Sequence, residues 1–277
     1  MRCRMDDSSP SDLVAGARVV RIGSGKPIVF VHGWRLDGST EVADYEQQGI
    51  DWEGWERLYV DLPGMGGSPV DERLFSLVDY SAWLASALDQ LTRGQPYALA
   101  ATSTGAMIGL VAQAGARGRL SGFLMRVPRV SADPSQRRVS PVPLPASVVV
   151  ERQAKVDRVW EPAQSRRSQW SQDIRDSAAR YALPVPLTEL SVPTLIVTGR
   201  QDSRAGFEDA FGLVSRAPRA TYAVLDESEH DLPYPSTRPL FAALVQDWLR
   251  RVTDAWPGAP DGPGVGVLGE DQGVRQG

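Results

Sequence analysis

Short aliphatic and β-branched runs recur along the chain, separated by stretches whose apolar positions fall three or four residues apart. The runs predict strands at Val19–Ile22, Ile28–Val31, Arg57–Val60, Tyr97–Ala101, Gly122–Val127, Thr194–Thr198 and Thr221–Leu225. Several are apolar at every position, as strands of a parallel sheet covered on both faces must be. Between them, Trp83, Leu84, Leu88 and Leu91 share one helical face over Tyr80–Leu91. Leu240, Phe241, Leu244, Val245, Trp248, Leu249 and Val252 do the same over Leu240–Val252. Strand and helix patterns in alternation predict an α/β fold with a mostly parallel central sheet flanked by helices.

The alternation fails from Pro128 to Pro186, which begins Pro- and Ser-rich and then carries helical patterns at Val148–Trp160 and Gln164–Leu183 without a clear strand. This predicts a small helical cap, 128–186, inserted into a core formed by 16–127 and 187–254. The ends read differently. Residues 1–15 mix charge and serine, and 255–277 are rich in Gly and Pro. Neither can bury enough apolar surface to offset its ordering entropy, so a flexible N-terminus and a disordered tail are expected.

Composition narrows the classes of function. A net charge of −4 gives no global reason to bind nucleic acid or an anionic membrane. The single cysteine, Cys3, excludes an intramolecular disulfide and argues against a cysteine-based metal site. No signal peptide and no apolar run near the ~20 residues that span a bilayer are apparent, so a cytoplasmic protein is expected. Local charge is less bland. From Arg126 through Arg180, 11 basic residues stand against 6 acidic ones, a local charge of +5 (11 − 6). Such a segment is either a solvated helical surface or a cap that attracts a carboxylate or phosphate on a small-molecule substrate.

Candidate chemistry centres on Tyr97-Ala-Leu-Ala-Ala-Thr-Ser-Thr-Gly-Ala-Met107, an apolar strand running through Ser103 into a helical pattern. A serine on so sharp a turn takes a strained backbone, and small residues two before and two after it, Ala101 and Gly105, let strand and helix approach. The amide of Thr104, opening the helix, points where an oxyanion would form. Histidine occurs only at His32 and His230, so a histidine-dependent mechanism has two candidates.

This stretch resembles the nucleophile elbow of the α/β-hydrolase superfamily, with Ala101 in place of the first glycine of Gly-x-Ser-x-Gly. Pro27-Ile-Val-Phe-Val-His-Gly-Trp34 looks like that family's oxyanion loop, and Val60-Asp-Leu-Pro-Gly-Met-Gly-Gly-Ser68 like its Asp-x-Pro-Gly turn. The resemblance implies a second oxyanion donor at the Trp34 amide and structural roles for His32 and Asp61. Downstream, Thr194-Leu-Ile-Val-Thr-Gly-Arg-Gln-Asp202 and Val224-Leu-Asp-Glu-Ser-Glu-His230 match the family's acid and histidine loops, in its chain order. The catalytic residues implied are Ser103 as nucleophile, His230 as base and Asp202 as the orienting acid. Asp133, Asp226 and Glu229 remain alternatives for the acid.

The resemblance spans Val19 to Val252 apart from the cap. It implies a serine hydrolase of the esterase, thioesterase or lactonase type, working through an acyl-enzyme without metal or organic cofactor, and a place in natural-product metabolism. A serine at the elbow argues against the relatives that use a carboxylate nucleophile. The same triad also serves C–C hydrolysis, acyl transfer, elimination or cyclisation, and a non-catalytic binder on the same scaffold is a further alternative.

Overall fold

A computed structural model describes residues 11–46, 49–114, 118–139, 142–184 and 189–258. Eight strands form one sheet: β1 (Ser11–Val14), β2 (Ala17–Ile22), β3 (Lys26–Val31), β4 (Trp55–Val60), β5 (Tyr97–Thr102), β6 (Leu120–Arg126), β7 (Thr194–Gly199) and β8 (Ala220–Leu225). Their order is β1-β2-β4-β3-β5-β6-β7-β8. The pairs β1–β2 and β2–β4 are antiparallel, and every pair from β4–β3 to β7–β8 is parallel. All seven strands read from the sequence are present.

β1 lies inside the stretch 1–15 expected to be flexible, so that expectation is corrected for Ser11–Val14. Ala15 and Gly16, both at positive φ (52° and 80°), close a two-residue turn into β2, the geometry that matches the right-handed twist of a hairpin. The strand is short, lies at the sheet edge and leaves Leu13 exposed, so its apolar signal is weak.

Successive residues of a strand point to opposite faces, and the sheet buries both. Val29, Val31, Leu58, Val60 and Leu99 pack with Leu77, Leu84 and Leu88 of the helix over Leu77–Leu91 and Met107 and Ile108 of the helix over Thr104–Ala114. Ile28, Phe30, Tyr59, Ala98 and Ala100 face the other way, onto Tyr45 of the helix over Gly38–Tyr45 and Phe241, Val245, Trp248 and Leu249 of the helix over Arg238–Asp254. The helices span Gly38–Tyr45 (α1), Leu77–Leu91 (α2), Thr104–Ala114 (α3) and Arg238–Asp254 (α8). Helix α2 opens on a capping box, in which the Ser76 hydroxyl accepts from the Asp79 amide and the Asp79 carboxylate accepts from the Ser76 amide.

The chain between β6 and β7 carries α4 (Ala146–Lys155), a π-helical turn (Val156–Trp160), α5 (Glu161–Ser165) and α6 (Gln169–Asp176). The single helix expected over Gln164–Leu183 is broken into α5 and α6. Ser168 interrupts it as an N-cap, accepting from the Ser171 amide. A short helix α7 (Phe207–Phe211) follows β7.

An ion cluster ties this segment to the core. Arg126, at the end of β6, donates to both oxygens of Glu41 (2.9 Å each) and to Asp44. Lys155, the last residue of α4, lies 2.5 Å from the other oxygen of Asp44. All four side chains are buried. Burial pulls the Lys155 ammonium below the ordinary lysine range, Arg126 adding to the effect and Asp44 opposing it. The tail expected to be disordered lies outside the described residues from position 259 onward. Among the described residues, no helix is long and apolar enough to cross a membrane.

Candidate active site

In a parallel sheet the strand C-termini share one edge, where loops from non-adjacent segments meet. Here that edge gathers Gly33–Trp34 after β3, Ser103 after β5, Asp202 after β7 and His230 after β8. Ser103 takes φ +54°, a left-handed conformation unusual for a residue with a Cβ. Its amide donates to the Arg126 carbonyl (2.9 Å) and its carbonyl accepts from the Ala106 amide (3.2 Å), which fixes the turn. A Cβ on Gly105 would stand 2.2 Å from the His32 carbonyl oxygen, so only glycine lets α3 approach β3 this closely. Ala101, where the resemblance expects glycine, is fully buried within β5.

The structure brings Ser103, His230 and Asp202 into one line. His230 Nε2 lies 2.9 Å from Ser103 Oγ, and His230 Nδ1 lies 2.9 Å from Asp202 Oδ2. The acid and histidine loops are themselves joined. The Gln201 amide donates to the Ser228 carbonyl (2.9 Å) and the Ser228 amide to the Gln201 side chain (3.0 Å). Asp202 Oδ1 accepts from the amides of Arg204 and Ala205, both at 2.8 Å. Burial opposes ionisation of this carboxyl. The His230 ring and the two amides outweigh it and hold Asp202 below the usual carboxylate range.

The other carboxylates are occupied elsewhere. Asp133 caps a turn at Ser135, Asp226 accepts from Gln201, and Glu229 accepts from the Ser203 and His230 amides. Among the described residues, none of the three bonds the imidazole. His32 is buried apart from this line. Its Nε2 accepts from the Leu62 amide (2.9 Å), which leaves the proton on Nδ1, donated to the Gly33 carbonyl (2.8 Å). Asp61 accepts from the Gly38 and Gly67 amides and pairs with Arg18. Both residues organise backbone.

The loop after β3 faces the serine, since a Cβ on Gly33 would sit 3.5 Å from Ser103 Cβ. The amides of Trp34 and Thr104 donate to no protein group among the described residues, and both residues line the cavity above Ser103. The Trp34 indole is held by donation to the Ser171 carbonyl (3.0 Å) and by edge contact with Tyr80 and Tyr181.

That cavity has a volume of about 350 Å³. Trp160 from the π-helical turn stands edge-on to the His230 ring, 6.3 Å between centroids. Five arginines line it, Arg35, Arg129, Arg137, Arg175 and Arg204, and no aspartate or glutamate does so among the described residues. Burial, together with Arg137 and Arg175, lowers the Arg129 guanidinium to about 10. The positive balance of the segment from Arg126 through Arg180 therefore divides between two destinations. Arg126, Lys155, Arg152 and Arg166 bind Asp44, Asp231 and Asp37 instead, while Arg35 and Arg204 come from core loops. Among the described residues, no group of three His, Cys, Asp or Glu side chains is placed to hold a metal ion.

Comparison with known proteins agrees with this architecture. Among solved structures, an alpha/beta superfamily hydrolase from Oenococcus oeni PSU-1 superposes with a TM-score of 0.74 at 20% identity, over 88% of this chain and 99% of that one. A thermophilic esterase from Thermogutta terrifontis gives 0.66 at 18% identity, over 85% and 94%. The N-acyl homoserine lactonase AidH gives 0.66 at 17% identity, over 88% and 97%. No curated protein matches the sequence. At these identities the structures speak for the fold alone. The family model described as the alpha/beta hydrolase family matches residues 28–271, and the chain belongs to that family.

Proposed function

We propose that the protein is a serine hydrolase that cleaves an ester, thioester or lactone bond of a small molecule. The observation that carries this reading is the unbroken line from Ser103 Oγ through the His230 ring to Asp202, at 2.9 Å for each step. Neutral His230 takes the proton as Ser103 Oγ bonds to the substrate carbonyl carbon. The carbonyl oxygen becomes an oxyanion, for which the Trp34 and Thr104 amides are the free donors. As the tetrahedral centre collapses, the bond to the leaving oxygen or sulfur breaks and His230 returns the proton to it. Water, deprotonated by His230, then adds to the acyl-enzyme and expels Ser103, releasing the acid. Asp202 stays ionised throughout, holding the tautomer and stabilising the imidazolium. The helices between β6 and β7 act as a cap, with Trp160 above the base limiting access by solvent.

A fluorophosphonate probe tests the reading. It should label the wild type once, at Ser103, and Ser103→Ala should remain unlabelled. A folded wild type that neither reacts with the probe nor hydrolyses p-nitrophenyl esters would overturn it.

A further inference from the structure

Three arginines of the described chain are buried to more than nine-tenths: Arg57, Arg126 and Arg129. Two of them carry carboxylates. Arg57 binds Glu46 through two nitrogens, and Arg126 binds Glu41 and Asp44. Arg129 has none. Its Nε donates to the Thr104 hydroxyl (3.0 Å) and its Nη1 to the carbonyls of Ser131 and Ala132 (3.3 and 3.2 Å), all neutral acceptors. A buried guanidinium without a counter-ion is unfavourable unless something else supplies the negative charge.

The surroundings deepen the deficit. Arg129 and Arg175 both stack on the Tyr181 ring, with guanidinium carbons 4.1 and 4.6 Å from its centroid. The Tyr181 hydroxyl is in turn bonded to Thr104 Oγ1 (2.8 Å). Arg137 is held by the carbonyls of Ser131, Ala132 and Arg204. Among the described residues, none of the five cavity arginines forms an ion pair with a carboxylate. The result is a cationic wall, with Arg129 and Arg175 stacked on an aromatic ring and Arg129 and Arg137 bonded to backbone carbonyls, that begins at the residue next to the nucleophile. Donors fixed in this way bind an anion with little ordering cost, and the fork of a guanidinium suits carboxylate and phosphate oxygens.

We infer that the substrate is itself an acid: an acyl compound carrying a carboxylate or phosphate a short spacer away from the scissile carbonyl, with this group seated on Arg129, Arg137 and Arg175. The inference rests on the hydrolase reading for its position relative to Ser103, and names the substrate class of that site.

The test compares mono-p-nitrophenyl glutarate with p-nitrophenyl valerate, whose acyl chains match in length and differ in charge. The wild type should favour the glutarate by about tenfold or more in kcat/KM, the scale of one charge-assisted hydrogen bond. Arg129→Gln should reduce that ratio about tenfold. Arg175→Gln, which removes no hydrogen bond among the described residues, should reduce it as well and covers the case in which the first variant fails to fold. A ratio near one in a wild type that hydrolyses both esters overturns the inference and leaves the hydrolase reading intact. If neither ester turns over, calorimetric titration of Ser103→Ala with glutarate and with inorganic phosphate decides instead. Saturable binding weakened by Arg175→Gln supports the inference, the anion bound more tightly identifies the head group, and no binding of either overturns it.

Discussion

Asp202 divides its two oxygens between tasks, one for the imidazole and one for a pair of backbone amides. Asp202→Asn should therefore lower kcat by about 10³–10⁴-fold by allowing the wrong tautomer, and steady-state kinetics on any hydrolysed ester checks this. The carboxyl ionises more readily folded than unfolded, so its stabilising contribution is present above the unfolded value of about 3.9 and fades as pH falls through the lower folded value. The difference in melting temperature between wild type and Asp202→Asn should narrow below about pH 4. A constant difference from pH 7 to pH 3 would refute the assignment. Ser103, His230 and Asp202 were legible because each sits at the end of an apolar strand in a short, recognisable loop. Arg129, Tyr181 and Trp160 were not, because a Pro-rich, strandless segment carries no motif that says which side of a helix will meet a distant loop.

Among the elements, α4 is tied to the core through charge, by Lys155 on Asp44, a carboxylate that Arg126 shares. Removing one member of a buried cluster leaves its partner desolvated and uncompensated, so Lys155→Met should cost about 3–5 kcal/mol. Denaturant unfolding measures this, and adding Asp44→Asn to it should cost less than Asp44→Asn alone. Strict additivity would show that the two side chains do not share an interaction. Strands β2 to β8 were readable from short aliphatic and β-branched runs, and helices α2 and α8 from stripes of leucine and aromatic residues. The edge strand β1 escaped notice because one turn and one exposed leucine make a faint pattern. The break between α5 and α6 escaped because helical spacing alone does not register a serine cap.

For the molecule as a whole, a net charge of −4 coexists with a cavity above Ser103 lined by five arginines. A concave, low-dielectric wall focuses such a field locally, whatever the overall sign. Raising the salt from low to near-molar concentration should therefore lower kcat/KM for the glutarate ester several-fold and leave the valerate ester nearly unchanged. Equal responses would mean that charge does not guide capture.

The Lys155 ammonium touches more than Asp44. It also donates to the carbonyls of Asp231 (2.6 Å) and Pro233 (3.2 Å), immediately after the histidine. One nitrogen thus joins the end of α4 to the loop that carries His230. A side chain from a distant helix therefore anchors the backbone just past the imidazole, and Lys155→Met should speed deuterium exchange at the amides of 231, 232 and 234, whereas unchanged rates would show that the ammonium does not hold that stretch.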